Sequence, residues 1–252
     1  MPKSARRRNA DETGDKTRPK LWTAKMCPYA QRATFALHFK GVDYETIEVD
    51  MKEKPRELLE ISPHGQVPAM IDQGKAIYES NICVEYIDET WESLGGIDLL
   101  PGDAYGKARA RMWCDFIEKR IICPFFCMRK EEERILATKS LLAALAQISQ
   151  EMAKSTGPYF DGPHISMVDV AFAPFVNRMI IAEHFFNFNI PRTEQYKGFH
   201  QWWAAIQQHP SYQATKVKDA FLVEYARKKL ATCSTGSSRK CGWKGEPECK
   251  QK

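Results

Sequence analysis

Hydrophobic and polar positions change texture three times along the chain. Residues 1–18 are polar and basic with almost no large apolar group, the pattern of a disordered arm. From Lys20 a short run to Ala24 reads as a strand. Cys27-Pro28 then leads into Tyr29–Lys40, where Ala33, Ala36 and Leu37 suit a helix ended by Gly41. Tyr44–Val49 is a second strand, and residues 54–60 are a short helix with Pro55 in its first turn. Val67–Ile71 and Lys75–Tyr78 flank Asp72-Gln73-Gly74 as a hairpin, and Ser80 caps a helix through about Trp91 with Ile82, Cys83, Tyr86 and Ile87 on its apolar side.

The aperiodic, glycine- and proline-containing stretch 93–103 is a linker. Beyond it the texture is helical throughout, over 104–130, 131–154, 166–184, 197–208 and 213–229. Pro124 should disturb the first of these, because its ring removes a donor and crowds the preceding turn. Ser166-Met167-Val168-Asp169 is a capping-box-like start. The predicted order βαβαββα followed by helices is an α/β plus all-α architecture: a thioredoxin-like unit over 19–92, the linker, an all-α unit over 104–230, and a flexible cysteine-containing basic tail over 231–252.

Composition narrows the classes. A chain of 252 residues with 43% hydrophobic and 27% charged residues can bury a core in two units. No run of about 18 apolar residues occurs, which excludes a conventional membrane span. The first twenty residues lack the apolar stretch of a secretory signal and mix arginines with acids, a poor mitochondrial presequence, so the expected location is cytoplasmic. The net charge of +5 concentrates at the ends, +4 over 1–20 and +6 over 227–252, leaving −5 for the body. A mildly acidic body is a poor surface for phosphates, so nucleic acid is not an expected partner.

The eight cysteines, at 27, 83, 114, 123, 127, 233, 241 and 249, are too dispersed for a disulfide scaffold. Cys123 and Cys127 lie one helical turn apart without a histidine nearby and read as packing residues; Cys233, Cys241 and Cys249 fit no metal pattern, and no metal is expected. Cys27 is different. It stands where a strand meets a helix, where unpaired amides and the helix dipole favour a thiolate over a thiol. Ala30 occupies the position that a dithiol motif would give to a resolving cysteine, so a disulfide formed at Cys27 must be resolved by an external thiol.

At these residues the sequence resembles the omega class of glutathione transferases. The motifs are C-P-Y-A-Q-R at 27–32, Lys54-Pro55, Val67-Pro68, Glu79-Ser80 and I-C-V-E-Y-I-D-E at 82–89, and with the capping box the likeness runs over about 20–230. The resemblance implies glutathione as cosubstrate. Ser80 would receive its γ-glutamyl carboxylate, Glu79 its amine and Lys54 its glycyl carboxylate; Val67, ahead of a cis Pro68, would pair with its peptide backbone. It also implies a second-substrate pocket matching Tyr29, Phe125, Met128, Arg178 and Tyr225, and a homodimer. The activity implied is thiol transfer and reduction through a Cys27–glutathione disulfide: removal of glutathione from proteins, reduction of dehydroascorbate and other small oxidised acceptors, and weak conjugation. A chloride-intracellular-channel-like protein that associates with membranes and a non-catalytic interaction module share the Cys-Pro module or the architecture and are the rival classes.

Overall fold

The computed structural model describes residues 18–93 and 96–234, with side chains through 231. The arm 1–17 and the tail beyond 234 lie outside the described residues.

The first unit runs β1 (Lys20–Thr23), α1 (Pro28–Lys40), β2 (Glu45–Glu48), α2 (Arg56–Ile61), β3 (Ala69–Asp72), β4 (Lys75–Tyr78) and α3 (Ser80–Thr90). Its four strands lie in the order β2-β1-β3-β4, with β1 and β2 parallel and the other pairings antiparallel. This is the thioredoxin-like arrangement: a right-handed crossover through α1 and a hairpin at the other edge. β1 buries Leu21 and Trp22, which point to opposite faces, and both faces of this strand are covered. The β3–β4 turn places Gln73 at φ 49° and Gly74 at φ 73°, the doubly left-handed turn that matches the twist of paired strands.

Helix α1 begins with Pro28 at its first position, where a missing amide proton costs nothing, and ends at Gly41 in the left-handed conformation. There Gly41 N donates to His38 O and Val42 N to Leu37 O, closing the helix. Ala33, Phe35, Ala36 and Leu37 are fully buried, because α1 is enclosed by the sheet, by α3 and by helices of the second unit.

The second unit is helical: α4 (Ala104–Phe116), a π-helical segment (Ile117–Ile122), α5 (Cys123–Cys127), α6 (Arg134–Met152), α7 (Met167–Phe186), a 3₁₀ turn (Glu194–Tyr196), α8 (Lys197–Gln208), α9 (Pro210–Thr215) and α10 (Asp219–Ser234). Two expectations change here. The helix expected over 104–130 is three pieces. Pro124 lacks an amide proton, and just before it the ladder widens, Cys123 N donating to Glu118 O five residues back. The helix expected over 213–229 divides into α9 and α10, since Pro210 starts the first and Lys216 is extended at ψ 143°.

The connection between units is pinned rather than loose. Lys40 Nζ, fully buried, lies 2.7 Å from Asp88 Oδ1 and donates to Ile97 O at 3.2 Å, while Asp88 accepts from the amides of Leu99 and Leu100. One buried cluster continues from Leu21, Phe35 and Leu37 through Ile117 and Ile121 to Phe172, Phe175 and Trp202, so the units share a core. No helix among the described residues is long and apolar enough to cross a membrane.

Candidate active site

Cys27 is the N-cap residue of α1, in extended backbone at φ −79° and ψ 116°, and its side chain makes no capping hydrogen bond. Asn or Ser at this position would satisfy an amide for the sake of the helix. Here the amides of Tyr29 and Ala30 point at the sulfur. Sγ lies 3.7 Å from Val67 O, to which the thiol donates, and Val67-Pro68 is a cis peptide. Cys27 is a half-buried free thiol, as is Cys127, whereas Cys83 and Cys114 are buried free thiols. Cys233, Cys241 and Cys249 lie outside the described side chains.

The charge balance at Cys27 departs from the sequence expectation. Burial pushes the thiol above its ordinary range, and the Ala30 and Tyr29 amides and the Arg178 and Arg32 guanidinium groups pull it back only in part. A strand-to-helix junction announces the amides. It does not announce how much protein encloses the sulfur.

Ser80 is the first residue of α3 rather than the cap expected from the sequence; the cap is Glu79, which makes no side-chain capping bond and holds φ 69°, a conformation uncommon for a residue with a side chain. Ser80 Oγ accepts from Arg32 Nη1 at 3.0 Å, so its own proton is directed elsewhere, available to an anion at the helix N-terminus. Lys54 Nζ donates to His64 O at 3.2 Å, over Gly65. A Cβ on Gly65 would stand 3.0 Å from Lys54 Nζ and 2.7 Å from Leu59 Cδ2, at φ 57°, so glycine is what lets the ammonium settle there. Cys27 therefore meets Val67 directly, Ser80 is held through Arg32 of the same helix, and Lys54 is held by the 64–65 loop that leads into Val67.

Arg32 and Glu118 were not assigned roles from sequence. Arg32 is 1% exposed, its guanidinium donating to Ala171 O on α7 at 2.9 Å and lying 3.3 Å from Glu118 on the π segment, 5.1 and 4.8 Å from the centroids of the Tyr29 and Phe175 rings, which touch edge to face. Tyr29 donates its hydroxyl to Glu118 at 2.6 Å. The widened helical turn before Pro124 carries Glu118 to this place; Pro124 was the one sequence signal for it.

Of the residues expected to line a second pocket, Phe125 and Arg178 do line a narrow cleft together with Pro28, Phe126, Arg129, Ile181, Ala182 and Phe186. Met128 is 1% exposed and packed in the core. Tyr29 is turned to Glu118, and Tyr225 lies on α10 with the Lys229 ammonium 5.7 Å from its ring centroid.

A thioredoxin-like unit with a cis proline beside a helix-capping cysteine, docked on a helical unit, defines a class. The model of the glutathione S-transferase N-terminal domain matches residues 26–90 and that of the C-terminal domain residues 107–205, so the chain belongs to the glutathione S-transferase family. Among its relatives, Arabidopsis thaliana glutathione S-transferase U22 is 35% identical over 65% of this chain and 74% of its own length. Glutathione S-transferase omega-1 of Sus scrofa is 29% identical over 79% of this chain and 80% of its own. A tau-class glutathione S-transferase from mango superposes with TM-score 0.77 at 29% identity, covering 84% of this chain and 98% of that one. Glutathione transferase Omega 3C from Trametes versicolor superposes with 0.71 at 27%, covering 86% and 93%. The tau-type relatives lead and the omega relatives are among the weaker matches, so membership of the family is shown and the omega class expected from the sequence is not.

Proposed function

We propose that the protein is a glutathione-dependent thiol transferase and reductase of omega type, acting through Cys27. The observation that carries this reading is a sulfur, not a hydroxyl, at the start of α1 beside the cis Val67-Pro68 peptide. The Cys27 thiolate attacks the glutathione sulfur of a mixed disulfide, whose S–S bond breaks; the acceptor thiolate leaves and takes up a proton. A second glutathione then attacks the sulfur now bonded to Cys27, giving oxidised glutathione and the free Cys27 thiol. No cysteine occupies position 30, so the external thiol has no internal competitor one turn away.

Glutathione binding follows the same residues. Ser80, with its hydroxyl proton turned outward by Arg32, and the N-terminal amides of α3 take the γ-glutamyl carboxylate; Glu79 takes the amine; Lys54 takes the glycyl carboxylate; Val67 pairs with the peptide. Protein and small disulfides or other oxidised acceptors approach along the Phe125–Arg178 cleft. A homodimer and a cytoplasmic location go with this reading.

A second reading has an observation of its own. A thiol held above its ordinary pKa is a neutral donor at pH 7, as a hydroxyl would be, and could hold glutathione as a thiolate for conjugation; the tau relatives favour that chemistry. Parallel assays separate the two. Under the first reading the protein reduces 2-hydroxyethyl disulfide with glutathione and conjugates 1-chloro-2,4-dinitrobenzene weakly, and Cys27→Ser abolishes the reduction. A Cys27→Ser variant that reduces the disulfide at the parental rate overturns it.

A further inference from the structure

Among the described residues, Arg178 on α7 is a cation without a matching anion. It is 3% exposed, and the hydrogen-bond acceptors around its guanidinium are all neutral: Gln31 Oε1, Pro174 O at 3.1 Å, Asn177 Oδ1 at 3.4 Å and Lys25 O at 3.5 Å. Its Nε is buried with no hydrogen-bond partner. A buried charge in that condition is costly unless an opposite charge compensates it. The places it is tied to are informative. Lys25 lies two residues before Cys27 and Gln31 four after, and Pro28 shares the cleft wall with Arg178.

The other groups facing this corner do not supply the anion. Tyr212 on α9 has a buried hydroxyl without a partner, and burial holds its phenol neutral, far above physiological pH. Asp219 on α10 accepts from Asn177 Nδ2 at 3.0 Å. Glu118 on the π segment pairs with Arg32 and Tyr29. On α1, Arg32 has its charge opposed by Glu118, and Tyr29 is turned to the same carboxylate, while the Lys25 ammonium sits 4.8 Å from the Phe221 ring centroid. Among the described residues the Arg178 field falls on two acids, the Tyr212 phenol and the Cys27 thiol, and of these only the thiol stands at the candidate reacting position.

We propose that Arg178 is the counter-charge of the Cys27 thiolate, a positioning residue supplied by the helical unit, so that ionisation of the sulfur depends on the docking of α7 against α1. The proposal rests on Cys27 being the reacting sulfur. Enclosure of the sulfur opposes ionisation, and the two amides alone do not offset it; a guanidinium whose own burial lowers its pKa to about 10 remains charged at neutral pH and gains its missing partner when the proton leaves. No bond is made or broken in this step; the thiol proton passes to solvent.

The test is the pH dependence of iodoacetamide alkylation at Cys27, read by mass spectrometry of the Met26–Arg32 peptide, in the full chain and in Arg178→Met, Arg178→Gln and Arg178→Lys. The Gln variant keeps an amide donor should Met impair folding, and circular dichroism checks each fold. The expected result is a midpoint raised by about one pH unit in Met and Gln, roughly ten-fold slower alkylation at a fixed lower pH, with Lys close to the parent. An unchanged midpoint in the uncharged variants, or a Lys shift as large as the Gln shift, overturns the proposal. Alkylation requires no glutathione chemistry, so this outcome is independent of whether the parent reduces mixed disulfides.

Discussion

The N-termini of α1 and α7 are built from the same elements and put to opposite uses. At α7 the donors are satisfied. Asp169 accepts from Ser166 N and Ser166 Oγ at 2.7 Å each, from Phe160 N at 3.0 Å and from Trp202 Nε1 at 2.6 Å, while Ser166 Oγ accepts in return from Asp169 N. The carboxyl is fully buried and burial lifts it to about 6, yet every lone-pair direction has a donor. At α1 the capping residue offers no oxygen, and the amides meet a sulfur whose thiol burial holds above its ordinary range. Two guanidinium groups stand near it and only one has a carboxylate opposite. The comparison teaches that a finished helix start holds a fold together, whereas an unfinished one is poised to receive charge.

The largest expected effect falls on the first of these ends when its chemistry is removed. Cys27→Ser should lower glutathione-dependent disulfide reduction by about two orders of magnitude or more, since a serine hydroxyl does not form the mixed disulfide. It should leave the melting temperature within a few degrees of the parent. Asp169→Ala should do the reverse: about 3 kcal/mol or more of stability lost on denaturant titration, because four buried donors lose their acceptor.

A pH titration sharpens the same contrast. The folded-state pKa of Asp169 stands above its ordinary 3.8, at about 6, so its contribution to stability is complete below pH ~4 and declines as pH rises through about 6. The difference in stability between the parent and Asp169→Asn should therefore fall by up to about 3 kcal/mol across that window, a change that other carboxylates cancel out of. For Cys27 the sign is that of a raised acid: alkylation of the empty protein should have its midpoint above the ordinary thiol value of ~8.5 and accelerate with pH up to it. The smallest expected effect is at Glu118. Glu118→Gln frees the Arg32 charge, and the Cys27 midpoint should move down by less than one unit, opposite in direction to the Arg178 variants.

Much of this was legible in the sequence for local reasons. The turn Asp72-Gln73-Gly74, the Ser166–Asp169 cap, the Gly41 stop and the Cys27-Pro28 junction each depend on residues within a few positions of one another. The break between α9 and α10 was missed because Lys216-Val217 carries no turn residue, although Pro210 marked the start of the shorter helix. The π segment had only Pro124 to announce it. What the sequence could not convey was balance across the fold: that burial outweighs the amides at the half-buried Cys27 thiol, that Glu118 opposes Arg32, and that no carboxylate among the described residues opposes Arg178. Those depend on side chains more than 80 positions apart, as with Tyr29 and Glu118 or Gln31 and Arg178.

In the proposed chemistry Cys27 carries glutathione through a mixed disulfide. Mass measurement of the protein after incubation with oxidised glutathione, with digestion to locate the adduct, tests it most directly. A glutathione adduct is expected on the Met26–Arg32 peptide, removed by reduced glutathione and absent from Cys27→Ser. An unmodified Cys27 under conditions where Cys127 becomes glutathionylated would contradict it.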